Sequence, residues 1–425
     1  MGAEMDRAVT QSGGPRVALI PWGTPIEAFL DPLDRTIDDF CDRLHGGWLF
    51  GYAVALSGAG YAPTIVVCSS SVQVVQRRRH APTGTPIVVL PLSRSSLRSS
   101  PPGLRRDLWA YWHAVPRQMA SELSRYDAIL VQEYEEPRAD VLMWWGRARR
   151  IPVLATFQGG LPPWERAPLQ RLVRGPSLRG CSALLAGSEA ECERLVTVRR
   201  VKPSRVHRVV NPVDVTAWTP QDRDAARRQL DISSDSLVVA WHGRVELQRK
   251  GIDVLLDAWP LVRDALPNRT LCLLLVGSGP DDEALRKLLN DSGGKDVRWL
   301  ASYATADEVR LRLAACDLWV SPSRHEGFAV APLEAMSSGR PIVVTTVPGA
   351  VELLHDAVDG VPVPPGHAPA LADAIVSALS RPDWLSAAGR RCRARAEHHF
   401  SDAAVGRGLR AALTAAGLCP DPRAS

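Results

Sequence analysis

No apolar run in this 425-residue chain approaches the roughly 20 residues that span a bilayer. The opening stretch MGAEMDRAVTQSGGPR is polar and has no apolar centre of the kind a secretory signal carries. Both absences predict a cytoplasmic protein that touches a membrane, if at all, only peripherally. Cysteine is scattered. Cys41, Cys68, Cys181, Cys192, Cys272, Cys316, Cys392 and Cys419 form no C-x-x-C pair and no metal-ligand spacing. Several lie in apolar runs, as Cys272 does, where a thiol behaves as a small hydrophobe. That pattern argues against a disulfide scaffold or a zinc module and predicts a reducing compartment. Charge excess is small as well. A net of +5 over 425 residues is no nucleic-acid footprint, although it suits anionic small molecules or a lipid surface. Low-complexity tracts and short-period repeats are missing.

What is present is ordinary globular composition, 45% hydrophobic and 23% charged, in a chain too long for one core. Short Val-, Ile- and Leu-rich runs alternate with helix-length segments throughout, which predicts parallel α/β architecture with strands covered on both faces. The first set of strands is expected at Arg16 to Pro21, Thr64 to Cys68, Pro86 to Leu90, Ala128 to Gln132, Pro152 to Thr156, Ala183 to Ala186 and Val206 to Val210. The pattern stops at Asn211-Pro212-Val213-Asp214. It restarts with Ser236 to Trp241, Thr270 to Val276, Val297 to Leu300, Leu318 to Ser321 and Pro341 to Thr345. Two doubly wound, Rossmann-like halves facing a central cleft are therefore expected, with ligands beyond the carboxyl ends of the strands. The boundaries read as 1–212 for the first domain, 213–222 for a linker, 223–395 for the second domain and 396–425 for a C-terminal helix.

The most informative stretch is SPSRHEGFAVAPLEAMSSGRPIVV, Ser321 to Val344. A strand ends, then Glu326 and Glu334 follow eight residues apart, with Gly327 between them and Pro332 to Met336 suited to the first turns of a helix. A helix start offers unpaired N–H groups and the positive end of the macrodipole. Taken alone, a pair of glutamates at this spacing is most often a capping and a solvated carboxylate. Its neighbours change that. Strand Leu237 to Trp241 runs into His242-Gly243-Arg244, and Lys250-Gly251 comes six residues after the arginine. Taken alone, two such cations are most often solvated surface; just past a strand end, beside a glycine and with the glutamate pair, they suit a clamp for a diphosphate.

The segments HGRVELQRKGIDVLLDAW, LLLVGSGPDDEALRKLL and SPSRHEGFAVAPLEAMSSGRPIVV, followed by Pro348-Gly349 and Glu352, resemble the family-4 retaining glycosyltransferases of GT-B fold in order and spacing. Upstream, GCSALLAGSEAECERL and HRVVNPVDVTAW are similar to the family's approach to its interdomain linker. The resemblance implies that Arg244 and Lys250 bind the donor diphosphate and stabilise the leaving group. It implies that Glu326 contacts the donor sugar, helped by main chain at Gly327, Phe328, Ala329 and Val330, and that Glu334 holds the ribose. Gly243 joins the donor-binding residues, Gly277 and Gly279 shape the adjacent loop, and Tyr303 neighbours the base. Ala329 replaces a glycine common in similar proteins and is expected to tighten packing against the donor. The implied donor is a UDP- or GDP-linked sugar, with no metal and no cofactor besides. Asp281-Asp282 reads as a helix start, not as a metal-binding D-x-D. No general base is implied, because the leaving phosphate takes the acceptor's proton. The resemblance also implies that the C-terminal helix returns to the first domain.

The acceptor half is less legible. Gly46-Gly47 matches a glycine pair that opens a helix in similar proteins, but residues 22–45 are interposed and carry Glu27, Asp31, Asp34, Asp38, Asp39 and Asp42. They read either as acidic surface or, with Glu133, Glu135 and Glu136, as a lining for a cationic acceptor such as an aminocyclitol or amino sugar. Arg77-Arg78-Arg79 and SRSSLRSSPPGLRRDLWAYWHAV, with Trp109 and Trp112, read either as a solvated basic face or as contact with a lipid acceptor's membrane. Gln158 stands where similar proteins have histidine and is expected to face sugar or acceptor; Trp164 reads as a stacking or a buried aromatic. The partners expected are a nucleotide sugar and a small-molecule or lipid acceptor, with no nucleic acid. Two other functions stand beside glycosyl transfer: a nucleotide-sugar-binding regulator, against which the intact cations argue, and a GT-B-fold epimerase, for which no acid/base pair is visible.

Overall fold

A computed structural model describes residues 13–21, 25–31, 35–44, 48–92, 108, 110–159, 168–292, 294, 296–301, 305–354 and 359–420. The chain forms two compact units, Met1–Pro212 with Asp402–Ser425, and Val213–Ser401.

The first unit is built on β1 (Arg16–Ile20), β2 (Ala62–Ser69), β3 (Gln76–Arg79), β4 (Pro86–Pro91), β5 (Ala128–Gln132), β6 (Val153–Thr156), β7 (Ala183–Ala186) and β8 (Val206–Arg208). Their order is β3-β4-β2-β1-β5-β6-β7-β8. All neighbours pair in parallel except β3, which runs antiparallel to β4. Alternate side chains of each strand go to opposite faces. Val17, Leu19, Ile65 and Leu130 therefore pack with Phe50 and Leu56 of helix Trp48–Gly58 and with Val405 and Leu409 of the C-terminal helix Asp402–Ala415. Ala18, Ile20, Val66 and Ile129 pack on the other side with Met119, Leu142 and Met143. Strand order reverses between β1 and β5, which makes that gap the switch point of this sheet.

The second unit contains β9 (Leu237–His242), β10 (Leu271–Val276), β11 (Val297–Leu300), β12 (Leu318–Ser321), β13 (Ile342–Thr345) and β14 (Gly360–Val363), all parallel in the order β11-β10-β9-β12-β13-β14. Counted within this unit the order is 3-2-1-4-5-6, the dinucleotide-fold arrangement, with its switch point between β9 and β12. Helices Ile252–Ala265 and Ala368–Leu379 cover one face through Leu255, Trp259, Leu371 and Ile375.

Residues 213–222 belong to this second unit, as do 396–401. Val213 N donates to Phe400 O at 2.8 Å, so the chain enters and leaves the unit at one place. Helix Pro382–Arg395 runs on through a π turn, Ala396–Phe400, before helix Asp402–Ala415 begins in the first unit. Two strands, β3 and β14, fall outside the runs read from sequence.

Candidate active site

The loops after β9 and β12 meet at the switch point of the second unit. Lys250 ends the single turn Leu247–Lys250, and Gly251 follows at φ 65° in the left-handed region. A Cβ on Gly251 would come within 2.0 Å of Pro322 O, so only glycine lets the chain turn here directly against the loop after β12. That close crossing puts Lys250 Nζ 2.7 Å from Glu326 Oε1. Ser323 Oγ donates to the same oxygen at 2.7 Å. Arg324 fastens the loop from its other side, with a bidentate pair to Asp253 at 2.8 and 2.7 Å.

Glu326 is 6% exposed. Burial is the largest single influence on its carboxyl and raises its pKa. Lys250, Arg249 and Ser323 together outweigh it and hold the group below the ordinary glutamate value, as a carboxylate. Arg244 is placed differently. Its Nε lies 3.2 Å from Glu246 Oε1, and its side chain is 45% exposed. The structure therefore brings Lys250 to Glu326, while Arg244 stays at the surface of the same loop.

Glu334 lies in the first turn of helix Ala331–Ser337. Its Oε2 is 2.8 Å from His242 Nε2, and Trp319 Nε1 is 2.9 Å from His242 Nδ1. An indole N–H can only donate, so Nδ1 accepts and the ring proton is on Nε2, directed at the carboxylate. All three residues are buried. The loop after β10 completes the floor. Gly277 has φ 135°, and a Cβ there would stand 1.8 Å from Gly243 O, so the glycines at 243 and 277 let two strand-end loops pass in contact. Phe328 is buried and meets Phe400 edge-on at 5.8 Å; Gly327 is buried, while Ala329 and Val330 are half-buried ahead of the helix. Asp281 accepts from Leu247 N at 2.7 Å and Asp282 from Gly279 N at 2.7 Å, so these two carboxylates brace loops. Tyr303 lies outside the described residues, as do Gly46, Gly47, Trp109 and Trp164.

In the first unit, Gln158 is held by its neighbours. Its Oε1 accepts from Asn211 Nδ2 at 2.8 Å, its Nε2 donates to Asn211 Oδ1 at 3.1 Å and to Thr156 Oγ1 at 3.2 Å, and its main-chain N donates to Glu133 Oε2 at 3.1 Å. Glu133 has φ 89°, an unusual conformation for a residue with a side chain, and its other carboxylate oxygen accepts from Glu135 N at 2.8 Å.

Four carboxylates of the acidic insert are engaged in the same way, while Asp34 lies outside the described residues. Glu27 accepts from the Ser69 hydroxyl and from Ser70 N and Ser71 N at 3.1 and 3.2 Å. Asp39 closes a capping box with Thr36, and Asp38 and Asp42 both pair with Arg78. Glu135 is paired with Arg174 and Arg194. A cationic acceptor would have to compete with these partners. Arg77 forms a bidentate pair with Glu122 at 3.1 Å. The basic run thus forms the charged edge strand β3. Trp112 is 84% exposed. No helix among the described residues is long and apolar enough to cross a membrane.

Sequence reading missed His242 and Trp319. The available signal was a histidine closing the otherwise apolar strand LVVAWH.

Comparison with known proteins agrees with this architecture. The family of glycosyl transferases group 1 matches residues 236–381, and glycosyltransferase family 4 matches residues 49–217. The chain belongs to the family-4 glycosyltransferases of GT-B fold. A D-inositol 3-phosphate glycosyltransferase of Geodermatophilus obscurus is 35% identical over 216 residues, covering 49% of this chain and 48% of that protein. One from Catenulispora acidiphila is 30% identical over 272 residues, covering 60% and 64%. The chain thus spans about half the length of the curated relatives it matches. Among solved structures, HepE of Anabaena in complex with UDP and glucose superposes with a TM-score of 0.71 at 18% identity, over 94% of this chain and 99% of that one. Sucrose-phosphate synthase from Thermosynechococcus elongatus gives 0.70 at 21%, over 93% and 97%. At these identities the likeness speaks for the fold.

Proposed function

We propose that the protein is a retaining, metal-independent glycosyltransferase that moves a sugar from a nucleoside-diphosphate sugar to a hydroxyl of a small polar acceptor. In this reading the second unit binds the donor and the first unit the acceptor. The bond from the anomeric carbon to the diphosphate breaks, and the diphosphate leaves with the electron pair. The acceptor oxygen bonds to that carbon on the same face, and its proton passes to the departing phosphate. Charge grows on the leaving group, so cations are what the transition state needs. Lys250 and Arg244 supply them, Glu326 holds sugar hydroxyls, and Glu334, aimed by His242, takes the ribose.

The observation that carries this reading is the meeting of Lys250–Glu326 and His242–Glu334 at the gap between β9 and β12. The named activity of the curated relatives makes a phosphorylated cyclitol the first acceptor to try. Thermal unfolding of the full chain with UDP, GDP, ADP and their sugars tests the donor assignment, since a ligand of the folded state raises the midpoint. A rise with one nucleotide series, lost in Glu334→Ala, is the expected result. No rise with any of them would overturn the proposal.

A further inference from the structure

Arg138 is a buried cation with no counterion among the described residues, at the switch point of the first sheet. Its side chain follows Pro137 at the start of helix Pro137–Arg149, and the residue is 7% exposed. Nη1 donates to Pro21 O, just past β1, at 3.3 Å, and Nε donates to Ala114 O at 3.1 Å. Nη2 has no hydrogen-bond partner among the described residues. The carboxylate that acts on it is Glu136, which forms no ion pair with it and whose own carboxyl is pushed up by burial, against the pull of Arg138 and Arg174. Cys68, at the carboxyl end of β2, is the other titratable neighbour, and burial pushes its thiol up to about 11.

The other two arginines buried among the described residues are not left this way. Arg174 has Asp140 at 3.1 Å, and Arg227 has Asp317 at 2.7 Å. Carbonyl oxygens satisfy two donors of a guanidinium but do not cancel its charge, and an uncompensated buried charge is costly. A site that keeps one, where strand order reverses and ligands enter such sheets, is built for an anion.

We propose that Arg138 receives the anionic group of the acceptor, a phosphate monoester, through the guanidinium edge that carries Nη2. This names the acceptor's chemical class and rests on the reading of the protein as a glycosyltransferase. The guanidinium fork matches two phosphate oxygens, which a lysine cannot do. Arg138 is then a binding residue for the acceptor and takes no part in donor binding.

The test uses the full chain, at constant ionic strength, with myo-inositol, myo-inositol 1-phosphate, glycerol 3-phosphate and vesicles containing phosphatidylinositol as probes. A phosphorylated probe is expected to bind wild type where myo-inositol does not, and Arg138→Gln is expected to weaken that binding by about tenfold or more while nucleotide affinity is unchanged. Preference for the soluble probes or for the vesicles tells whether the phosphate comes from a free metabolite or a lipid headgroup; binding lost in Arg138→Gln supports the assignment in either case. Equal affinity of wild type and Arg138→Gln, or no binding of any phosphorylated probe to wild type, overturns it. Should Arg138→Gln not fold, Arg138→Lys keeps the charge without the fork, and an unchanged probe affinity there is equally fatal. A wild type that takes the phosphorylated probe but no nucleotide would instead sink the donor assignment.

Discussion

The Nε2 proton of His242 points at Glu334 Oε2 across 2.8 Å, tying the last residue of β9 to a helix 92 residues further along the chain. Trp319 fixes the ring from behind, so the imidazole keeps one tautomer and Glu334 keeps one oxygen engaged. The other oxygen has no hydrogen-bond partner among the described residues.

His242→Ala is expected to weaken nucleoside-diphosphate binding by about tenfold, because Glu334 loses the hydrogen bond that aims its carboxylate. Affinity for the 2′,3′-dideoxy nucleotide, which lacks the hydroxyls, is expected to stay the same. Calorimetric titration of both ligands checks this. Equal losses for the two would reduce His242 to a packing residue.

Glu326 gives the protein an acid-sensitive element. Its carboxyl is held below the ordinary value of 4.5 in the folded chain, so the unfolded chain binds more protons as acid is added. The stabilising contribution is full above the unfolded value and is lost as pH falls past it and through the folded value. Urea midpoints are expected to drop more steeply in wild type than in Glu326→Gln as pH falls from about 5.5 through 4.5 and below. Parallel curves would contradict the assignment.

Much of this architecture was legible because a strand buried on both faces has to be apolar along its whole length. β5, β7 and β12, buried along their whole length, fall where their apolar runs predict. β3 did not, because Gln76–Arg79 has no apolar residue and becomes a strand only by pairing with β4 at the sheet edge. β14 hides behind Gly360 and Pro362, residues that ordinarily argue against a strand. Within the site, Lys250 and Glu326 were readable as a spaced motif. The commitment of Glu27 to the serine loop after β2, 42 residues away, was not, since a one-dimensional reading shows a carboxylate without its partners.

That commitment has a consequence of its own. Glu27→Ala leaves the Ser70 amide without its acceptor and the Ser71 amide with only the Ser69 hydroxyl, and is expected to lower stability by about 2 kcal/mol. Discrimination between cationic and neutral acceptors is expected not to move. Chemical denaturation and an acceptor panel check the two halves, and a selective loss of cationic acceptors would restore the acidic-pocket reading.

The central claim is that Lys250 stabilises the departing diphosphate. Single-turnover consumption of a bound nucleotide sugar by wild type and Lys250→Ala measures it directly. The expected loss is about 2–4 kcal/mol of transition-state stabilisation, that is about thirtyfold to about a thousandfold in rate, with a much smaller change in donor affinity. A Lys250→Ala protein that turns over at the wild-type rate would contradict it.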